Sequence, residues 1–297
     1  MTTVAATSRA WPVIVDLVAL TKPRVTALVL ATAAVGMGLA PGAVDRTRAL
    51  VMLAATVLLV GSANALNCWL ERDTDAFMKR TCDRPLPAGR LDPFIAVVFA
   101  VALAAIALPV LSLSINLTTG LLGAGAIVSY VAIYTPLKYR GPVALLVGAV
   151  PGALPPLMGW TSVTGSLGWG GVALFAIVFA WQMPHVIGLS TYRRNDYAAA
   201  GIRVLPLVAG VPVARQHAIG WALSMLPIGA APYLLGLTGV WYLAVSLLLG
   251  AAYTAATLAP LGEGDDAADR WGRRVFLISL FYIPVAFTAL MLDLAGG

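Results

Sequence analysis

Charge is what this chain of 297 residues has least of: Asp, Glu, Lys and Arg make up 11% of it against 60% hydrophobic residues, and the mean hydropathy is +0.89. That balance excludes a soluble domain with an ordinary polar surface. Cysteine is almost missing too, and Cys68 and Cys82 are too few and too far apart for a zinc site. Both fall on the side assigned below to the cytoplasm, where thiols stay reduced, so they read as structural. No glycine-rich phosphate loop of the P-loop or Rossmann type occurs, nor a linker or soluble segment large enough to form a separate domain. No basic stretch is interleaved with aromatics, so the net charge of +6 is assigned to membrane topology and to anionic lipid or substrate, with no nucleic-acid partner.

What the chain does have is apolar runs. A spanning helix needs roughly 20 apolar residues, and about nine such stretches occur, near 25–43, 48–68, 93–112, 115–134, 142–160, 168–190, 218–237, 239–260 and 275–293. The expected architecture is therefore all-α: one polytopic transmembrane bundle of about nine helices, a single integral-membrane domain over 1–297. Pro151, Pro155 and Pro156 remove backbone donors from the fifth stretch, which predicts a kinked span or one packed inside the bundle.

Lys and Arg mark cytoplasmic loops. With the N-terminus placed in the cytoplasm, all of the 19 basic residues except Arg46 and Arg48 fall on that one side. The first 23 residues contain WPVIVDLVAL, but Asp16 interrupts the run and no small-residue cleavage site follows. This reads as a cytoplasmic interfacial helix lying on the membrane, ended at the Lys22-Pro23-Arg24 corner, and not as a cleavable signal peptide.

The polar residues that remain are concentrated at cytoplasmic ends. Residues 64–87, NALNCWLERDTDAFMKRTCDRPLP, space Asn67, Glu71 and Asp75 four apart and follow them with Lys79, Arg80 and Arg84. On a helix those three oxygen-bearing side chains share one face. Acids alone would repel one another, whereas magnesium favours carboxylates completed by substrate phosphate oxygens. The pattern therefore predicts a metal-bound diphosphate at the membrane surface; the alternative is a solvated loop whose mixed charges only keep it in water. Four spans later WQMPHVIGLSTYRRNDYAAAG, residues 181–201, sets Tyr192 and Asp196 four apart with Arg193 and Arg194 between them. Two such segments on one side point to two half-sites facing a common cavity. Between them YTPLKYRG, residues 134–141, places Tyr134 and Lys138 on one face if helix continues past Pro136, with Arg140 next; by itself this is also what an ordinary positive-inside loop looks like. His185 lies at membrane depth, where an imidazole is costly. It either serves a bound ligand or hydrogen-bonds a helix broken at Pro184. The run Glu263, Asp265, Asp266 and Asp269 is a further metal candidate, but its Gly/Ala setting and following arginines favour a solvated loop.

Taken together, LTKPRVTALVLAT (20–32), NCWLERDTDAFMKRTCDRPLPAGRL (67–91), YTPLKYR (134–140), GAVPGALPPLMGW (148–160) and WQMPHVIGLSTYRRNDYAAAG (181–201) resemble the protohaem IX farnesyltransferases, or haem O synthases, of the intramembrane aromatic prenyltransferase superfamily. The resemblance implies a nine-helix bundle with a magnesium-dependent site at the cytoplasmic face. Its substrates would be farnesyl diphosphate and haem b, within the lipid bilayer of the inner membrane, and a downstream haem A synthase would take the product. It maps the metal-holding set onto Asn67, Glu71, Asp75 and Asp196, with Lys138 as the catalytic cation. Substrate binding falls to Arg80, Arg84, Tyr134, Arg140, His185, Tyr192 and Arg193. Three positions depart from the pattern: Glu71 stands where Asp is common, Tyr192 where the second motif has an acid, and Arg203-Val204 where Pro-Met is expected.

The implied reaction breaks an allylic C–O bond, so the departing diphosphate needs positive charge, which the metal, Lys138, Arg140 and Arg80 would supply. The farnesyl cation is then attacked by a vinyl carbon of haem b, and water adds to the resulting porphyrin-stabilised cation. Apolar walls must keep water from the first cation. Two other functions compete. A quinone precursor or chlorophyll-like ring would keep the fold and change the acceptor; a secondary transporter would place its carboxylates near the bilayer midplane, whereas these cluster at helix ends.

Overall fold

In a computed structural model the chain is described over residues 4–260 and 264–295, apart from the side chains of residues 4–10, Asp265 and residues 294–295. Twelve helices follow one another: α1 Val4–Leu20, α2 Pro23–Leu39, α3 Arg46–Asp75, α4 Pro93–Ile115, α5 Leu117–Leu137, α6 Ala144–Thr164, α7 Trp169–Tyr192, two short turns α8 Arg194–Ala199 and α9 Leu205–Val208, then α10 Val211–Leu234, α11 Val240–Leu258 and α12 Asp265–Ala295. Among the described residues there is no strand.

Each expected apolar stretch contains a helix, and seven of the helices are long and apolar enough to cross a membrane. With its composition this makes the chain an integral membrane protein. The two stretches outside that set differ for physical reasons. Helix α2 has only 17 residues, and α10 opens on Arg215, Gln216 and His217 and carries Pro227 and Pro232. Helices α10 and α12 also start well before the expected 218 and 275, because helix continues through charged turns that precede the apolar run. Caps set several starts: the side chains of Asp45, Asp92 and Asn116 accept from the backbone N–H of Arg48, Phe94 and Thr119 at 2.7, 2.7 and 2.8 Å.

Helix α7 lies at the centre, packed against α6, α10 and α12 through Leu174, Ile177, Val178, Trp181 and Ile187. Lipid tails are as apolar as leucine, so close backbone approach replaces the hydrophobic drive between helices. Gly36 and Gly159 show this where α2 crosses α6: a Cβ on Gly36 would collide with the carbonyl of Pro156, and one on Gly159 with that of Ala33. The proline-rich α6 remains helical, and most of it is buried in the bundle as expected. Outward faces carry Phe94, Val101, Leu113 and Leu121 toward lipid. Helix α1 is turned the same way, with Trp11, Ile14, Val15 and Val18 exposed, while Asp16 is buried 3.3 Å from Arg90.

A candidate active site at the basic end of the bundle

The polar end of α3 builds one wall of the site. Asn67, Glu71 and Asp75 lie on successive turns and all three are buried. The Asn67 carboxamide is their hub: Nδ2 donates to Glu71 Oε1 at 2.7 Å and to Thr135 Oγ1 at 3.2 Å, and Oδ1 accepts from Lys22 Nζ at 3.0 Å. Glu71 Oε1 also meets the Lys138 ammonium. Asp75 Oδ2 accepts from Arg84 Nη1 at 2.6 Å. Three cations from three different segments thus compensate two buried carboxylates, whose burial would be costly without partners. Burial pulls the Lys138 pKa down to about 7, with the neighbouring Lys22 charge adding to the fall. Burial lowers Lys22 as well.

Helix α5 delivers Lys138 by a local device. Ahead of Pro136 the helix widens to i→i+5 bonding over Val128–Tyr134, and the Thr135 hydroxyl donates to the Tyr130 carbonyl at 2.8 Å. Helix does continue past Pro136, because Lys138 N–H donates to the Tyr134 carbonyl at 3.1 Å and its Nζ stands 5.5 Å from the Tyr134 ring centre.

The second acidic segment is arranged differently. Asp196 sits in the short turn α8, where Arg194 pairs with Asp269 on α12 and Arg193 lies over the Tyr192 ring at 4.4 Å. Arg80, from the loop after α3, reaches over the Tyr197 ring at 5.8 Å, and burial raises the Tyr197 pKa. Beneath these contacts Met78, Ala200 and Ile202 form a small apolar cluster with Tyr139, Tyr197 and Val204, which ties the two acidic segments together. The Arg203 N–H donates to the Lys138 carbonyl at 3.1 Å and closes the same rim.

A cavity of about 290 Å³ opens here, lined by Glu71, Arg80, Tyr134, Lys138, Gln182 and Arg203 among others. Tyr130 and Gly152 are shared with a deeper apolar hollow of about 140 Å³ between Val29, Leu59, Val60, Ile127 and Pro155. One end of this space is cationic and the other oily, which is the division a prenyl diphosphate has.

Not every expected residue comes to this space: of the expected metal-holding set Glu71 lines it, while Asn67, Asp75 and Asp196 do not. Arg84 lies beside it, holding Asp75, around a neighbouring hollow with Lys22, Arg80 and Arg90. Arg140 and Arg193 are exposed and, like Tyr192, do not line the cavity. His185 faces the other way: its Nδ1 is 2.6 Å from Ser279 Oγ and its ring stacks on Trp181 and lies beside Phe276. Of the third acidic run, Glu263 and the Asp265 side chain lie outside the described residues, and Asp269 is the partner of Arg194.

Among the described residues no three His, Cys, Asp or Glu side chains form a metal cluster by themselves. The donor chemistry still fits a hard cation. Asp75 Oδ1 and Asp196 Oδ2 are buried with no hydrogen-bond partner, each on a carboxylate, the hard oxygen donor that magnesium takes alongside phosphate and water.

Sequence reasoning treated Lys22 as a corner and missed its role. It has φ 50°, a left-handed conformation that costs a residue with a Cβ roughly 1–2 kcal/mol, and Pro23 disfavours the right-handed alternative. The corner aims the ammonium at Asn67. Gln182 and Arg203 were also missed; the signal for Arg203 was its departure from the expected Pro-Met.

The fold and the paired polar segments are those of a membrane prenyltransferase: the profile of the UbiA prenyltransferase family matches residues 29–289, and the chain belongs to that family. It is 48% identical over 278 residues to a protein of Myxococcus xanthus named protoheme IX farnesyltransferase, covering 94% of each chain. A protein of the same name from Anaeromyxobacter dehalogenans is also 48% identical, over 94% of this chain and 93% of that one. Among solved structures, a digeranylgeranylglyceryl phosphate synthase superposes with a TM-score of 0.76 at 16% identity, over 94% of this chain and 98% of that one. A UbiA homologue from Archaeoglobus fulgidus bound to GPP and Mg2+ gives 0.66 at 17%, over 93% and 99%. At such identities the two structures establish the fold.

Proposed function

We propose that this chain transfers farnesyl from farnesyl diphosphate to a vinyl group of haem b with addition of water. The observation that carries the reading is the joined space at the basic end: a cationic mouth built on Glu71 and Lys138 that continues into an apolar hollow. Near-full-length similarity to proteins named for this reaction supports the choice of acceptor.

Asn67, Glu71, Asp75 and Asp196 would hold magnesium, which when bound supplies positive charge to the departing diphosphate. Lys138 and Arg80 face the same oxygens from the cavity wall, and Arg84 and Lys22 hold the Asp75 carboxylate and the Asn67 amide in place. The prenyl chain runs past Tyr130 and Gly152 into the deeper hollow, whose apolar walls exclude bulk water from the allylic cation. The basic-rich face is the cytoplasmic one, with the N-terminus on that side of an inner membrane, α1 lying on its surface and the whole chain acting as one domain. The product would pass to a haem A synthase.

The test is the mass of haem b after incubation with purified protein, farnesyl diphosphate and magnesium, with and without chelator. A gain of one farnesyl plus one water that the chelator abolishes is expected. Unchanged haem, with the protein folded and the diphosphate bound, would move the reaction to another ring acceptor.

A further inference from the structure

One polar side chain in the cavity has no part in holding metal or diphosphate. Gln182 is in the body of α7, two turns below Ser190, where a carboxamide is expensive to bury unless it is bonded. Both of its donors are spent on carbonyls, since Nε2 lies 3.1 Å from the Ala149 carbonyl oxygen across on α6 and 3.1 Å from that of Val178 on its own helix. Two acceptors can be met only by the NH2 side of the amide, so the orientation follows from chemistry. The oxygen must therefore point away from them. It points to Gly152, where a Cβ would fall on Oε1, and both residues line the cavity. Among the described residues nothing donates to that oxygen.

We infer that Gln182 is the water-positioning residue of the reaction: its Oε1, turned away from the two carbonyls that hold its nitrogen and lying beside Gly152 at the cavity wall, accepts a hydrogen bond from the water that ends the sequence. This rests on the farnesylation of haem b proposed above. When the C–O bond of farnesyl diphosphate breaks, the electron pair leaves with the diphosphate. The terminal vinyl carbon of haem bonds to farnesyl C1, and the positive charge moves to the vinyl carbon next to the ring. Two fates are open to that cation. A water oxygen can bond to it and lose a proton, or the cation can lose a proton from the adjacent carbon and become an alkene one water lighter; the released diphosphate accepts the proton in either case. Neither fate needs an oxidant. An amide oxygen orients water without ionising, and it shares the cavity wall with Glu71, Lys138 and the apolar residues between them.

The measurement is the ratio of hydrated to dehydrated farnesyl-haem, by mass, alongside the rate of diphosphate release. Gln182→Met keeps the length and volume of the side chain and removes the amide. It is expected to lower the hydrated fraction by about tenfold, the worth of one well-placed hydrogen bond, while diphosphate release changes far less. Gln182→Glu keeps an oxygen but cannot donate to the Ala149 and Val178 carbonyls, so it is expected to lose hydrated product as the Met variant does. Gly152→Ala, which pushes on Oε1 and leaves the amide in place, reaches the same point if the Met variant fails to fold, and should also yield the lighter product. Undiminished hydration in either Gln182→Met or Gly152→Ala would overturn the role of Gln182 while leaving farnesylation intact. Wild-type protein that leaves haem unchanged would overturn the reaction itself and this role with it.

Discussion

The two acidic segments at the basic end of the bundle balance their charge in different ways. The first comes already neutralised, since Lys138 meets Glu71, Arg84 meets Asp75, and Lys22 holds the Asn67 amide that in turn holds Glu71. The second spends its arginines elsewhere. Arg194 pairs with Asp269 and Arg193 covers Tyr192, so Asp196 is the one carboxylate its turn offers; its Oδ2, like Asp75 Oδ1 in the first segment, is buried and has no hydrogen-bond partner among the described residues. The first wall is held by ion pairs and hydrogen bonds within the protein, and the second is the more sparsely bonded of the two; in the proposed reaction magnesium and diphosphate would bridge them.

That asymmetry can be broken from either side. Asp75→Asn or Glu71→Gln should be the most damaging changes, lowering kcat for diphosphate release by ~10²–10³-fold, because each removes a charge that matters most in the transition state; folding is checked by thermal melting in detergent. Asp196→Asn should cost less, ~10–100-fold, and much of that should return at high magnesium. Equal losses from Asp75→Asn and Asp196→Asn, with no rescue of either, would mean the two walls are equivalent. Lys22→Met should lower turnover by about tenfold, the scale of one charge-assisted hydrogen bond, and Lys22→Gly should lose as much activity while relieving the backbone strain, seen as a higher melting temperature than the Met variant. The smallest effect sharpens the comparison: Tyr192→Asp supplies the acid that the second motif lacks and should lower the magnesium concentration for half-maximal rate by about two- to fivefold, as an added carboxylate ligand would. An unchanged magnesium requirement would place Tyr192 off the metal.

How far these walls could be read from residues alone depended on range. The spans were legible because apolar runs report burial in lipid directly, and α3 because Asn67, Glu71 and Asp75 are local in sequence and share one helix face. From residues alone, helix through Pro136 is conditional, because Tyr134 and Lys138 share a face only if it continues; the bond from Lys138 N–H to the Tyr134 carbonyl settles it. Lys22 was not, because its importance comes from a left-handed corner that brings it to a residue 45 positions away. Gln182 was hidden for a related reason: only the packing of α6 on α7 shows that its amine is occupied and its oxygen is not. His185 shows the opposite limit. Its depth in an apolar helix marks it as unusual, but which neighbours it faces is a matter of helix rotation, and that rotation turns it to Ser279 on α12.

The most direct test of the metal-bound diphosphate is farnesyl diphosphate affinity, measured by equilibrium dialysis against magnesium concentration for wild-type protein and for Asp75→Asn. Wild-type affinity should tighten steeply with magnesium and collapse with chelator, and in Asp75→Asn the magnesium dependence should largely disappear. Equal affinity with and without magnesium, in both proteins, would contradict the account.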